Sequence, residues 1–135
     1  MISQRHLSRI ASMQAIFSVL EREGLDPLAA LKFTALELSH PLRSLDFAEA
    51  LTKGVFSHIE EIKSKVLEYS KEGTEGKLDN LTFAILALGI YEIFFESEKQ
   101  AEAIIINEAI ELAKAYGKDS SPSFVNAILS GMLQK

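Results

Sequence analysis

The sequence predicts an all-α protein, and three observations carry that prediction. Apolar residues recur at three- and four-residue intervals through almost every segment, the repeat that lines them along one face of a helix. No stretch sustains the period-two alternation of a half-buried strand. All three prolines stand between periodic segments or at their first turn, where a helix tolerates them. A chain of 135 residues is about one domain long and buries well over half of its unfolded surface. No connection is long enough to divide it, so residues 1–135 are expected to form a single domain of about six helices.

The helices are taken in chain order. From Leu7, the residues Ile10, Met13, Phe17 and Leu20 make the stripe of a first helix, which starts near Ser3 and stops at Gly24. "DPLAALKFTALEL" opens the second, with Asp26 as N-cap, Pro27 in the first turn and Pro41 beyond its end. A third, capped by Ser44, carries Ala48, Leu51, Val55, Ile59, Ile62, Val66 and Tyr69 on one face for about six turns. "EGTEGK" at 72–77 breaks the chain. The fourth helix, roughly 79–95, is apolar on nearly all sides and has to be surrounded by others. "SEKQ" leads to a fifth, "AEAIIINEAIELAKAY", for which Gly117 is expected as a left-handed C-cap. Ser121-Pro122 begins the sixth, which runs to about Leu133.

Composition excludes several classes of function. Without cysteine there are no disulfides, thiolate zinc sites or cysteine nucleophiles, which fits a reducing cytoplasm. The N-terminus lacks the apolar core of a signal peptide, and the run from Leu81 to Phe95 is too short to span a bilayer, so no membrane association is expected. His6, His40 and His58 are scattered without ligand spacing, and His58 beside Glu60 and Glu61 reads as a surface histidine. Phosphate-cradling loops and nucleophile elbows are absent from the sequence. Carboxylate pairs such as Glu108 and Glu111 read as solvated or helix-stabilising. Neither an enzyme nor a cofactor is expected.

The charge is uneven. A net −5 argues against nucleic acid, yet residues 1–20 carry Arg5 and Arg9 with no acid. Residues 112–135 carry three lysines against Asp119, so the acid is concentrated between, where eighteen acids face nine bases. Arg5 and Arg9, four apart, stack on one face of the first helix at the edge of its buried surface. The corner "YGKDSSPSFVN", 116–126, gathers Ser120, Ser121, Phe124 and Asn126 around the start of a helix, whose unpaired N–H groups attract anions. One of the two serines is expected to cap that helix. Phe124 turns inward in a purely structural corner; partly exposed, it stacks on an unpaired base. Asn126 suits a base edge or ties the two helices together.

These residues also carry a family likeness. "AIIINEAIELAKAYGKDSSPSFVNAIL" closely resembles the C-terminal signature of the bacterial NusB transcription antitermination factors. "RIASMQAIFSVLE" looks like that family's first helix and "ILALGIYEIFF" like its fourth, so the resemblance covers the whole chain. It implies two crossed three-helix bundles. It also implies a partner, the small-subunit ribosomal protein that doubles as NusE, with which such factors bind boxA-like single-stranded RNA. The joint complex helps RNA polymerase read through terminators in ribosomal RNA operons. Carried over by position, Arg5, Arg9, Tyr116, Ser120, Ser121, Phe124 and Asn126 face RNA, while Phe17 and Thr82 fall in the partner-contact region.

The chain departs from the family pattern in three places. Ser120 stands where relatives often carry an acid, Ala127 replaces a glycine, and the N-terminal arm has fewer arginines. Fewer cations displace fewer counterions, so RNA binding by the chain alone is expected to be weak and to need the basic partner. Two other readings stay open: a stand-alone RNA-targeting module in ribosomal RNA modification or ribosome assembly, and a protein-only helical adaptor. A homodimer through apolar surface on the first and fourth predicted helices is also compatible with the sequence.

Overall fold

The computed structural model describes residues 2–70 and 78–134, which form seven α-helices and, among those residues, no strand. They are α1 (Gln4–Glu21), α2 (Pro27–Leu36), α3 (Asp46–Ser57), α4 (Ile59–Tyr69), α5 (Asn80–Phe94), α6 (Glu102–Tyr116) and α7 (Ser121–Leu133). The expected break at 72–77 lies outside the described residues. Helices α1, α2 and α3 pack as one three-helix bundle; α5, α6 and α7 make a second, flanked by α4, and α1 crosses onto α5 to join them.

Local chemistry sets most boundaries. Ser3 caps α1 by accepting the His6 N–H at 3.0 Å, and Asp26 caps α2 by accepting the Ala29 N–H at 2.9 Å. Past α1, Gly24 adopts φ +86°, a left-handed turn that side chains rarely allow. The Ser44 hydroxyl accepts the Asp46 N–H at 3.1 Å, although Leu45 occupies the cap position of α3.

The long third helix of the sequence reading is two helices. Its apolar stripe is continuous, but the backbone bends at His58 (φ −117°, ψ 20°), whose N–H is shared between the carbonyls of Gly54 and Val55. The cause is packing against α5. The His58 ring stacks on Phe95, 4.1 Å between centroids, and Gly54 lies so close to α5 that a Cβ there would overlap the Tyr91 ring. Periodicity reports which face is buried; it does not register a bend that keeps the same face inward.

Helix α5 is enclosed as its composition requires, buried continuously from Ala84 to Ile93 and in contact with α1, α3, α4, α6 and α7. The main core draws on all of these, with Met13, Ile16, Leu51, Ile62, Ile85, Leu86, Ile90, Leu112 and Leu129 among its buried members. A smaller cluster of Ala11, Ala15, Ala30, Leu31 and Ala48 lies between α1, α2 and α3. Its alanines let the helix backbones approach, and buried hydroxyls use that closeness: Thr34 Oγ1 donates to the Ala11 carbonyl of α1 at 2.8 Å. Ser12 and Thr52 are likewise hydrogen-bonded at 2.8 Å.

Candidate nucleic-acid interface

Helices α1 and α5 run antiparallel: Arg9 near the start of α1 meets Glu92 near the end of α5, and Glu21 at the end of α1 accepts from Asn80 at the start of α5. The two ends of α5 therefore carry different parts of the sequence-predicted site.

At the C-terminal end, Arg9 is buried, at 3% exposure. Its Nε and Nη2 donate to the two Glu92 oxygens, both at 2.8 Å, in a bidentate fork, and its Nη1 reaches Glu108 at 3.3 Å. Glu108 is also hydrogen-bonded to His6 Nδ1 at 2.9 Å. Burial by itself lowers the Arg9 pKa; the hydrogen bond and charge of Glu92, then those of Glu108, outweigh it and hold the pKa above its ordinary value. The guanidinium is thus a fixed cation tying α1 to α5 and α6. Against the expectation of a residue facing RNA, the Arg9 side chain lies beneath the surface, with three of its five N–H donors used by the two carboxylates. Arg5, one turn earlier, is exposed and lies over the Phe47 ring, 4.4 Å from guanidinium carbon to centroid.

The N-terminal end of α5 holds the corner. Asp79 caps α5, accepting the Thr82 N–H at 2.8 Å, and pairs with Lys118 at 3.3 Å. Burial pushes the Asp79 carboxyl upward, but hydrogen bonds from Thr82 and Lys118 and the lysine charge prevail, and its pKa is lowered overall. Thr82 Oγ1 lies 3.3 Å from Ser121 Oγ, and both residues are fully buried. Ser121 Oγ also accepts the Lys118 N–H at 3.0 Å, so this serine holds the turn from inside the fold; neither Ser120 nor Ser121 supplies a side-chain cap to α7.

Gly117 is not a left-handed cap. Its φ is −90° and its ψ −171°, an extended conformation open to any residue. Space is what requires glycine here: a Cβ would sit 2.7 Å from Ser121 Cβ and 2.8 Å from the Ala113 carbonyl oxygen. The corner closes on Ser121 because nothing projects from residue 117.

Of the predicted contact residues, Tyr116 (41% exposed) and Asn126 are at the surface and Ser120 is half-buried. Phe124 turns inward to 7% exposure and joins the main core. Asn126 Oδ1 accepts from Ser130 along its own helix and does not tie two helices together. Phe17, half-buried, lines a cleft of about 440 Å³ with Leu25, Ala29 and Phe33. The structure thus gathers Thr82 and the 116–126 residues at one end of α5. Arg5 and Arg9 lie at the other, roughly 15 Å away along the helix from Thr82 to Glu92.

One residue escaped the sequence reading, Glu92, and one was misread, Glu108. The first had a signal: Glu92 is the lone charge in an all-round apolar helix, and such a carboxylate needs a partner. Glu108, expected to be solvated or helix-stabilising beside Glu111, is instead part-buried and pairs with Arg9 and His6 of α1, a contact that its place among the acids of α6 does not reveal. His58 keeps a side chain 34% exposed, as expected of a surface histidine, and besides stacking on Phe95 it is hydrogen-bonded to Glu61 at 3.0 Å. Among the described residues no cluster could hold a metal ion, and no helix is long and apolar enough to cross a membrane.

Two small helical bundles crossed on a shared apolar helix define the class of protein, an all-α fold built around a central helix. The NusB family model matches residues 6–134, and this chain belongs to the NusB family. It is 33% identical over 129 residues to the transcription antitermination protein NusB of Wolinella succinogenes, covering 93% of each chain. It is 34% identical to that of Geobacter sulfurreducens over 127 residues, 93% of this chain and 90% of the relative. A crystal form of T. maritima NusB superposes with a TM-score of 0.84 at 27% identity, over 100% of this chain and 94% of that one. NusB in a complex of NusB and NusE with double-stranded RNA superposes with a TM-score of 0.81, over 98% and 97% of the two chains, and at 22% identity supports the fold alone.

Proposed function

We propose that the chain is a transcription antitermination factor that binds boxA-type single-stranded RNA together with the ribosomal protein serving as NusE. It acts in the cytoplasm, within an antitermination complex on RNA polymerase, and promotes read-through of ribosomal RNA operons without catalysing a reaction. The observation that carries this reading is the family match from residue 6 to residue 134, which includes both ends of α5. Exposed Arg5, Tyr116 and Asn126, with half-buried Ser120, supply the RNA contacts. Arg9, Thr82, Ser121 and Phe124 hold those contacts in place from beneath. Phe17 and its cleft face the protein partner.

An acidic chain, −5 overall, suits a basic partner and makes weak RNA binding by itself the expected behaviour. Apolar surface for a second copy lies on α2, at Phe33 (69% exposed) and Leu36 (84%), since α5 is covered on all sides. Fluorescence anisotropy tests the proposal, with a boxA-like strand and a scrambled one, each with and without the ribosomal partner. Preference for the boxA-like strand that tightens with the partner is the expected result. Equal, negligible binding in all four conditions would favour the protein-only adaptor.

A further inference from the structure

The first turns of α1 and the connection between α2 and α3 enclose an open cleft of about 250 Å³, lined by Gln4, Arg5, Ser8, Arg43, Asp46 and Phe47 among others. Gln4 builds its wall. The amide oxygen of its side chain accepts the Arg43 N–H at 2.8 Å, and its nitrogen donates to the Pro41 carbonyl at 3.4 Å. One side chain thereby fixes the loop that presents Arg43 beside Arg5. Arg5 is itself oriented, its guanidinium lying over the Phe47 ring, which leaves the edge with its N–H donors free.

Neither Arg5 nor Arg43 has an ion pair among the described residues. Ser8, on the floor of the cleft, is 2% exposed, and its hydroxyl has no hydrogen-bond partner among them. That hydroxyl is not sealed from the cleft, Ser70 Oγ being the buried unpaired side-chain oxygen among the described residues, so it is open to a ligand there. Asp46 contributes one carboxylate against the two arginines, so the cleft stays net positive in a chain that is net negative.

We infer that this cleft is a phosphate subsite: Arg5, Arg43 and Ser8 hold one phosphodiester of the bound RNA strand. Two guanidinium forks match the oxygens of a phosphate, and Ser8 donates a third hydrogen bond. Phe47 and Gln4 are positioning residues, the first for Arg5 and the second for Arg43. This inference rests on the RNA-binding reading and adds the α2–α3 connection to the surface that contacts the strand.

The test is the salt dependence of boxA-strand binding, with the partner present, for the full chain and for Arg43→Ala and Phe47→Leu. Thermal melting confirms that each variant is folded. Each phosphate contact on a single strand contributes about 0.7 to the slope of log K against log salt. Arg43→Ala is expected to lower the slope by about that much, and Phe47→Leu to weaken binding with the slope less changed. Inorganic phosphate, added at constant ionic strength, is expected to compete more strongly against the unsubstituted chain than against Arg43→Ala. If the unsubstituted chain binds RNA and Arg43→Ala keeps both its slope and its phosphate sensitivity, the subsite is refuted and the RNA reading stands. If the unsubstituted chain binds no RNA in any condition, the reading and the subsite fall together.

Discussion

The two ends of α5 solve one problem, joining a buried helix to its neighbours, with opposite chemistry. At the C-terminal end a full positive charge is sealed between Glu92 and Glu108, with Arg9 and Glu92 side chains only 4% and 3% exposed. At the N-terminal end the buried groups are neutral, Thr82 and Ser121, and the charged pair of Asp79 and Lys118 stays near water. An ionic joint is intolerant: both charges have lost their solvation, and each depends on the other. A hydroxyl joint is forgiving, since each bond contributes about 1 kcal/mol. The contrast suggests a division of labour in which the Arg9 end fixes the crossing of the two bundles. The corner is left adjustable, next to the exposed Tyr116 and Asn126.

The largest effect is expected where the ionic joint is broken on one side. Glu92→Leu leaves the Arg9 charge with Glu108 alone and is expected to cost about 3–5 kcal/mol in urea unfolding. Arg9→Met combined with Glu92→Leu removes both charges and should recover part of that loss. If the double variant is no better than the single one, the intolerance comes from packing and not from charge.

Next in size is Gly54→Ala, which forces a methyl group into the Tyr91 ring where α3 passes α5. Overpacking of this kind costs about 1–3 kcal/mol and is checked by the same unfolding curves. At the corner, Ser121→Ala strips the Lys118 N–H of its acceptor, and a loss of about 1 kcal/mol is expected by thermal melting. A loss as large as that of Glu92→Leu would erase the distinction between the two ends.

The smallest effect is that of the α5 cap. Asp79→Ala is expected to cost about 1 kcal/mol at neutral pH. The fold holds this carboxyl below its ordinary value of 3.8, so its contribution is complete above that value. It disappears as the pH falls through the lower folded value. Stability of the unsubstituted chain and of Asp79→Ala should therefore converge as the pH falls through that lowered folded value.

Helix class, most boundaries and the burial of α5 were legible in the sequence, because the spacing of apolar residues and the capping residues are local properties. Asp26 caps α2 as its position announces, and Ser3 sets the start of α1. The site was legible in part. The corner residues do come together around one turn, but the sequence could not separate the exposed members from the buried ones. Arg9 and Arg5 share a helix face and differ in fate, since Arg9 alone meets carboxylates, 83 and 99 residues away along the chain.

By itself, then, the sequence determined which segments are helical and which faces are buried, information carried by neighbours three and four residues apart. Tertiary structure alone decided three things: that the third helix bends at His58, that Gly117 is needed for space and not for a left-handed turn, and that Arg9 is a strut and not a surface cation. Each depends on an atom supplied by a distant segment: the Phe95 ring, the Ser121 side chain and the Glu92 carboxylate. Pairings of that kind leave no periodic trace in the sequence, because they are set by where the helices cross.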